Sequence, residues 1–553
     1  MTTPPSEDSE NKDEDTVYLG GTKDGTSSTG GEENDPQPGD TTGNEESKNQ
    51  PDNTTGNEES KNQPGGTTGS EENENQPGDT TGNEENENQP GGTTGSGTPA
   101  EGAESTGSGS PAPESQFTYT GAPLKVAAAN DDEETRNEST TTLKTAAENF
   151  KTAAQNVIRI INKLVSNTAE DNTLNVTLDN VNIDVSSRQS TNAALSVEGV
   201  GDTKIMLEGK NTLTSGNQCA GLEHNGKDYY GNNNGKLTIT SKKDEAGKDT
   251  GSLTATGGGG SAGIGSGWFG TYYGAGTIEI TGGDIKATGG NNAAGIGSGS
   301  EATSDTHIII NGTAKVDAQA TQNGAGIGSG HNSTGNTTID IGGDAIVKAQ
   351  GGSDAAGIGS GDDSTGTTTI NIKGGTIKEA IGGDGGAGIG GGSGSKNITV
   401  NIEGGTIETA QGGQGHGFYD GGSGIHSDGD LTISGNAHIV NAIGGNGDSS
   451  NSRSDAGDGI RAGTLTISGE AHIDNATGGT ADSGSAGDGI YSYGKLTIKD
   501  NAQIGTAKGG DATASDKDGG YGIRNHGQFT MSGGTITNAV GGTSTGRDGG
   551  DGI

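Results

Sequence analysis

The sequence predicts an all-β fold, a parallel β-helix of about eleven coils, with an N-terminal capping helix and a disordered acidic tail before it. Three observations predict it. An Ala/Gly-Gly-Ile marker recurs every 30 to 36 residues from Ile264 to Ile553. Pairs of apolar residues two apart fall between the markers. The chain has 553 residues, 112 of them glycine, yet only 25% are hydrophobic. A compact enzyme domain carries nearly half apolar residues, so the core must be thin. Collagen is excluded, because the glycines follow no three-residue period and proline is scarce.

The first segment is residues 1–116. All 12 prolines lie at or before Pro123, which places a boundary near residue 120. Residues 1–115 carry 26 acids and 4 bases, a charge of −22 (26 minus 4), out of −42 for the whole chain. Few aliphatic residues offset the chain entropy, so disorder is expected. Pro38, Pro51, Pro64, Pro77 and Pro90 stand 13 apart and open units such as PGDTTGNEESKNQ. Such a repeat reads as a self-repelling tether, roughly 55–65 Å r.m.s. as a neutral coil and longer when charged. The N-terminus MTTPPSEDSE has no basic or apolar leader region. A signal peptide is thus not visible, and the chain is expected to lack its leader or to derive from something longer.

Residues 117–170 read as a cap. Leu143, Ala146, Ala147, Phe150, Ala154, Val157, Ile158, Ile161 and Leu164 recur at helical spacing, predicting a helix over 141–166 with Thr141 or Thr142 at its start. A helix before a repeat array usually covers the open end of the core.

Residues 171–553 form the repeat domain. Its markers are Ile264, Ile296, Ile327, Ile358, Ile389, Ile425, Ile460, Ile490, Ile523 and Ile553, with Leu195 and Leu222 as degraded early copies. The second apolar station is an alternating pair, from Ile278/Ile280 to Phe529/Met531. The third is Ile-x-x-Ala-x-Gly-Gly, as at Ile407 to Ala410, with a shorter form at Ile285 and Ala287. Three short strands per unit leave no room for a helix, which removes the helical repeat arrays of similar period. Coils about 4.8 Å apart would build a column roughly 50 Å long. Proline is absent because interior strands donate hydrogen bonds on both sides. The sequence stops inside a coil marker. An open coil exposes strand edge, so the native protein is expected to continue beyond Ile553.

The AAGIGSG runs within Gly- and Thr-rich strands resemble bacterial surface proteins of the pectin-lyase-like, right-handed β-helix superfamily. The resemblance covers about residues 170–553. It implies right-handed coils and association with polysaccharides, as in secreted carbohydrate-binding proteins and adhesins. Hydrolases of that superfamily carry Asn-Thr-Asp, Asp-Asp, Gly-His-Gly and Arg-Ile-Lys on neighbouring coils. Only Asp362-Asp363 and Gly415-His416-Gly417 occur here, about two coils apart. Its lyases use clustered carboxylates and an arginine base, whereas Arg453, Arg461, Arg524 and Arg547 look scattered. No catalytic residue is therefore expected.

Two sets of binding residues are candidates. Tyr229 and Tyr230 follow Leu222 as Trp268, Phe269, Tyr272 and Tyr273 follow Ile264. If those markers are equivalent, both sets leave one turn of adjacent coils as a platform for sugar rings, or else fold over the column as packing. Asp458, Asp488 and Asp551 recur in Gly-Asp-Gly-Ile, as turn residues or as calcium ligands between stacked coils. His438 and His472 share one coil position and read as a polar surface ladder, with metal binding as the alternative. The lone Cys219 reads as a small buried side chain.

The expected protein is thus a non-enzymatic extracellular or cell-surface adhesin or polysaccharide-binding module. It would be a monomer, with a polysaccharide or host glycan as partner, no membrane span, and calcium as the one cofactor to consider. The acid excess repels nucleic acid. The alternatives are a pectin-type lyase or hydrolase, and a structural stalk.

Overall fold

Short strands with apolar residues on one face are stable only when both edges are paired and that face is covered. Stacked coils meet both needs. The computed structural model describes residues 157–162, 173–186, 192–228, 230–268, 273–417, 419–449 and 454–553, and the backbone of strands Thr16–Leu19, Leu124–Ala128 and Ser139–Leu143. The described chain is a parallel β-solenoid of about eleven turns.

The marker residues form one column. Leu195 lies beside Leu222, Leu222 beside Ile264, and the register continues through Ile296, Ile327, Ile358, Ile389, Ile425, Ile460 and Ile490 to Ile523. All are buried. The alternating pairs stack likewise, Ile278/Ile280 on Ile308/Ile310 on Ile339/Ile341. The third station carries Ile285, Val316, Val347, Ile377 and Ile407 in line. Each buried aliphatic side chain contributes about 1.5–3 kcal/mol against exposure. The two forms of the third station meet at a β-bulge: the register shifts after Val347, where the next strand gains one residue between Ile377 and Ala380.

The glycine after the five markers from Ile264 to Ile389 is required by geometry. Gly265, Gly297, Gly328, Gly359 and Gly390 have φ between 135° and 143°. A Cβ on Gly328 would lie 1.7 Å from the carbonyl oxygen of Gly359. The serine that follows the first four of these glycines is buried and tethers the next coil. Ser298 Oγ accepts from the Gly330 N–H at 3.0 Å, and Ser329 Oγ from Gly361 at 3.0 Å. Thus AGIGSG codes for a side-chain-free turn with an internal hydroxyl ladder.

The helix expected over 141–166 needs correction. Val157–Ile161 is a strand, with Ile158 beside Leu195 and Ile160 beside Val197 in parallel register. Ser139–Leu143 is also a strand. Stiff β-branched side chains at Val157, Ile158, Ile160 and Ile161 favour a strand, and the edge of Leu195–Glu198 offers it a partner. Residues 144–156 and 163–166 lie outside the described residues. Leu124–Ala128 pairs antiparallel with both Leu174–Asp179 and Ser139–Leu143. Most of the expected tether is also outside. The exception, Thr16–Leu19, is its one short apolar run and pairs in parallel with Val157–Ile160.

In the last turn the column is less covered, with Phe529, Met531 and Val540 exposed. Among the described residues no helix is long and apolar enough to cross a membrane. Cys219 is buried as expected, and burial with the nearby Glu223 charge holds its thiol protonated.

Candidate functional site

The position after the marker isoleucine changes character along the column. It is glycine from Gly265 to Gly390 and then becomes His426, Arg461, Tyr491 and Arg524, in register on four successive turns. The tight turn disappears with the glycine. Ile264–Gly265 is a two-residue strand, whereas Ile425–Ile433 and Ile460–Ile467 run unbroken into the second station. Ile490–Ser492 and Ile523–Asn525 are three-residue strands, and on all four turns a residue with a side chain takes the glycine's place, so these positions form a ladder.

Rings and cations alternate in that ladder. The Arg461 guanidinium lies 5.3 Å from the Tyr491 ring centre and 5.1 Å from that of Tyr493. It also donates to the Tyr493 hydroxyl. Arg524 lies 5.6 Å from Tyr491 and 5.1 Å from Tyr521. Tyr491 and Tyr493 meet edge to face at 4.6 Å. Such stacks fix both partners and contribute about 0.5–2 kcal/mol each. Tyr491 is buried by its neighbours, and burial pushes its hydroxyl up to about 12. Tyr493 and Tyr419 are half exposed.

Beside the ladder is a cleft of about 420 Å³, walled by Tyr419, Asp420, His426, Asp428, Arg461 and Tyr493 over a floor of glycine and serine. Its two carboxyls differ. Burial and the Asp455 charge raise Asp420, against the Asp455 N–H that it accepts at 2.8 Å. Burial also pushes Asp428 upward, but His426, at 3.4 Å, the Ile398 backbone and Arg461 outweigh it and hold the carboxyl low.

Asp458 and Asp488 are buried behind the ladder. Asp458 Oδ1 accepts the Asp488 N–H at 2.7 Å, and Asp488 Oδ1 accepts the Tyr521 N–H at 2.7 Å. Their other oxygens face Arg461 at 3.4 Å and Arg524 at 3.8 Å. Asp551 is exposed and lies two turns from Asp488, past Tyr521. Asp458 and Asp488 therefore tie coil to coil and anchor the arginines. The donor set does not fit calcium, since a cation would have to displace two guanidinium groups. Burial first, and then the Asp488 charge, push Asp458 up to about 7.

The expected aromatic platform is only partly described. Tyr229, Phe269 and Tyr272 lie outside the described residues. The two loops do leave one turn of adjacent coils: Leu222 pairs with Ile264, and the Gly226 N–H donates to Gly274 at 2.7 Å. Tyr230 is exposed, and Tyr273 is half-buried with Lys227 Nζ 5.9 Å from its ring. Trp268 lies against the backbone, so close that a Cβ on Gly260 would come within 2.8 Å of its ring. Trp268→Ala is expected to lower stability by about 2 kcal/mol through lost packing, read by urea denaturation. An unchanged urea midpoint would overturn the packing role.

The Asp362-Asp363 pair lies elsewhere, with His331 Nε2 at 3.7 Å from Asp362. Burial and the charges of Asp363 and Asp354 push Asp362 up to about 7. Arg461 and Arg524, scattered in sequence, are the residues the sequence reading missed. Reading the residue after each marker down the column would have found them.

Compared with protein-family models, curated proteins and solved structures, the chain matches none.

Proposed function

We propose that the protein is a non-enzymatic extracellular or cell-surface polysaccharide-binding module or adhesin, of the right-handed, pectin-lyase-like kind that its AGIGSG turns resemble. The observation that carries this reading is the break in the glycine column. After five turns with glycine at this position, Gly265 to Gly390, four successive turns carry His426, Arg461, Tyr491 and Arg524 instead. Tyr419 and Tyr493 offer ring faces to the apolar side of a sugar, while Asp420, Asp428 and Arg461 offer acceptors and donors to its hydroxyls. A formal charge of −42 works against a polyuronate, so the favoured ligand is a neutral polymer. Affinity would accumulate over several weak subsites.

The contrast between Asp420 and Asp428 favours one second reading, a glycoside hydrolase, because a raised and a lowered carboxyl in one cleft suit an acid and its partner. The test is incubation with a panel of neutral and acidic polysaccharides, measuring retention and release of reducing or unsaturated ends. Retention on a neutral polymer without new ends is expected. Sustained release that stops in Asp420→Asn would establish the enzyme instead. No retention on any polymer would overturn both and leave a structural stalk.

A further inference from the structure

On another face of the solenoid, His438 and His472 occupy equivalent positions of adjacent turns, with Thr406 before them and Gln503 after. Their rings approach edge to face at 5.3 Å. Asp474 stands two residues beyond His472 on the same strand, so it projects from the same face. Its carboxylate lies between the rings. His438 Nε2 is 3.0 Å from Asp474 Oδ2, and His472 Nε2 is 2.6 Å from Asp474 Oδ1. All three donor atoms lie within 4.8 Å of one another.

We propose that His438, His472 and Asp474 form a binding site for a borderline divalent transition metal, of the zinc, copper or nickel class. Two imidazoles and one carboxylate are the donors such ions favour over calcium or magnesium. Donors bonded tetrahedrally at about 2.0–2.1 Å stand about 3.3 Å apart, so the His438–Asp474 contact of 3.0 Å has to open by about 0.3 Å and the His472–Asp474 contact of 2.6 Å by about 0.7 Å. The strands are held from beneath by buried Ile439 and Ile473 and beside the site by Asn475 Nδ2 donating to Asn441 Oδ1 at 3.3 Å. All three side chains are about 34–41% exposed, so an ion can enter and keep open positions for water or a ligand oxygen.

A second histidine–aspartate pair shows what a simple hydrogen bond looks like here. His307 Nε2 lies 2.7 Å from Asp340, but Lys373 also faces that carboxylate at 3.5 Å, and only one imidazole is present. Asp474 has two imidazoles and, among the described residues, no lysine or arginine ion-pair partner.

The test uses the full chain and Cu²⁺ as the probe, with calorimetry for affinity and electron paramagnetic resonance for ligand identity. One tight site with hyperfine coupling to two nitrogens is expected. His472→Gln and Asp474→Asn should each weaken that site at least about tenfold, the loss seen for even indirect metal-site partners. His472→Gln should fold, because glutamine stands at this position in the next turn. Equal affinity and an unchanged two-nitrogen spectrum in His472→Gln would place the copper elsewhere and overturn the proposal. So would the absence of any tight site in the unaltered chain.

Discussion

Gly328→Ala is expected to destabilise the solenoid by at least about 3 kcal/mol. The residue has φ 143°, a conformation that costs an L-residue about 1–3 kcal/mol. The added methyl would also meet the Gly359 carbonyl oxygen at 1.7 Å, a backbone atom with no rotamer to escape into. Relief requires the two turns to part. That weakens the flanking bonds from Ile327 N–H to Gly357 and from Ser329 N–H to Gly359, now 3.0 and 3.1 Å, at about 1 kcal/mol each. Each turn contacts mainly its neighbours, so the loss should appear as earlier unfolding of the middle turns. Gly342→Ala is the control, with nothing within 4 Å of its Cβ; it should shift stability by less than about 1 kcal/mol. Urea titration followed by circular dichroism compares the two. Equal midpoints would show that the AGIGSG glycine is not a packing requirement.

Stability is expected to fall as pH rises from about 5 to 8. Burial is the main cause that pushes Glu223, Asp362 and Asp458 each up to about 7. In the unfolded chain these groups ionise near 4. Between those values the folded state holds protons that the unfolded state has released, so raising the pH favours unfolding. Every tenfold gain in a carboxyl's proton affinity on folding is worth about 1.4 kcal/mol for a fully buried group such as Asp458, and less for the half-buried Glu223 and Asp362. The summed change is a few kcal/mol. Asp249, Asp340 and Asp428 are shifted the other way, and their contribution is lost only as pH falls below the ordinary carboxylate range. Thermal unfolding at pH 5, 6.5 and 8 should give a falling midpoint. Asp458→Asn keeps an oxygen for the Asp488 N–H but cannot ionise, so it should flatten the slope and be the more stable form at pH 8. A midpoint that rises with pH would contradict the burial of these carboxyls.

The coil architecture was legible because one position per turn is apolar and on five successive turns the next is glycine, and both features repeat visibly. The strand at Val157–Ile161 was not. Its isoleucines and valine fit a helical stripe and a strand face equally, and pairing with Leu195–Glu198 decides between them. The ladder was hidden for another reason. Arg461 and Arg524 are two turns apart, and Tyr491 between them is unlike either in sequence. Their common property is the register position, which becomes visible once the turns are stacked. The Asp458 and Asp488 repeat was legible as a motif but not as a role, because the arginines that take up their second oxygens are recognisable only in three dimensions.

The most direct measurement of the central claim is the affinity of the full chain for a neutral polysaccharide that it retains, compared with the Arg461→Ala/Tyr493→Ala variant. Both side chains wall the cleft, and they are bonded to one another. The account predicts at least a tenfold loss of affinity (about 1.4 kcal/mol) with the solenoid still folded at 25 °C. Unchanged affinity in a folded variant would contradict it, and would move the binding face away from these turns.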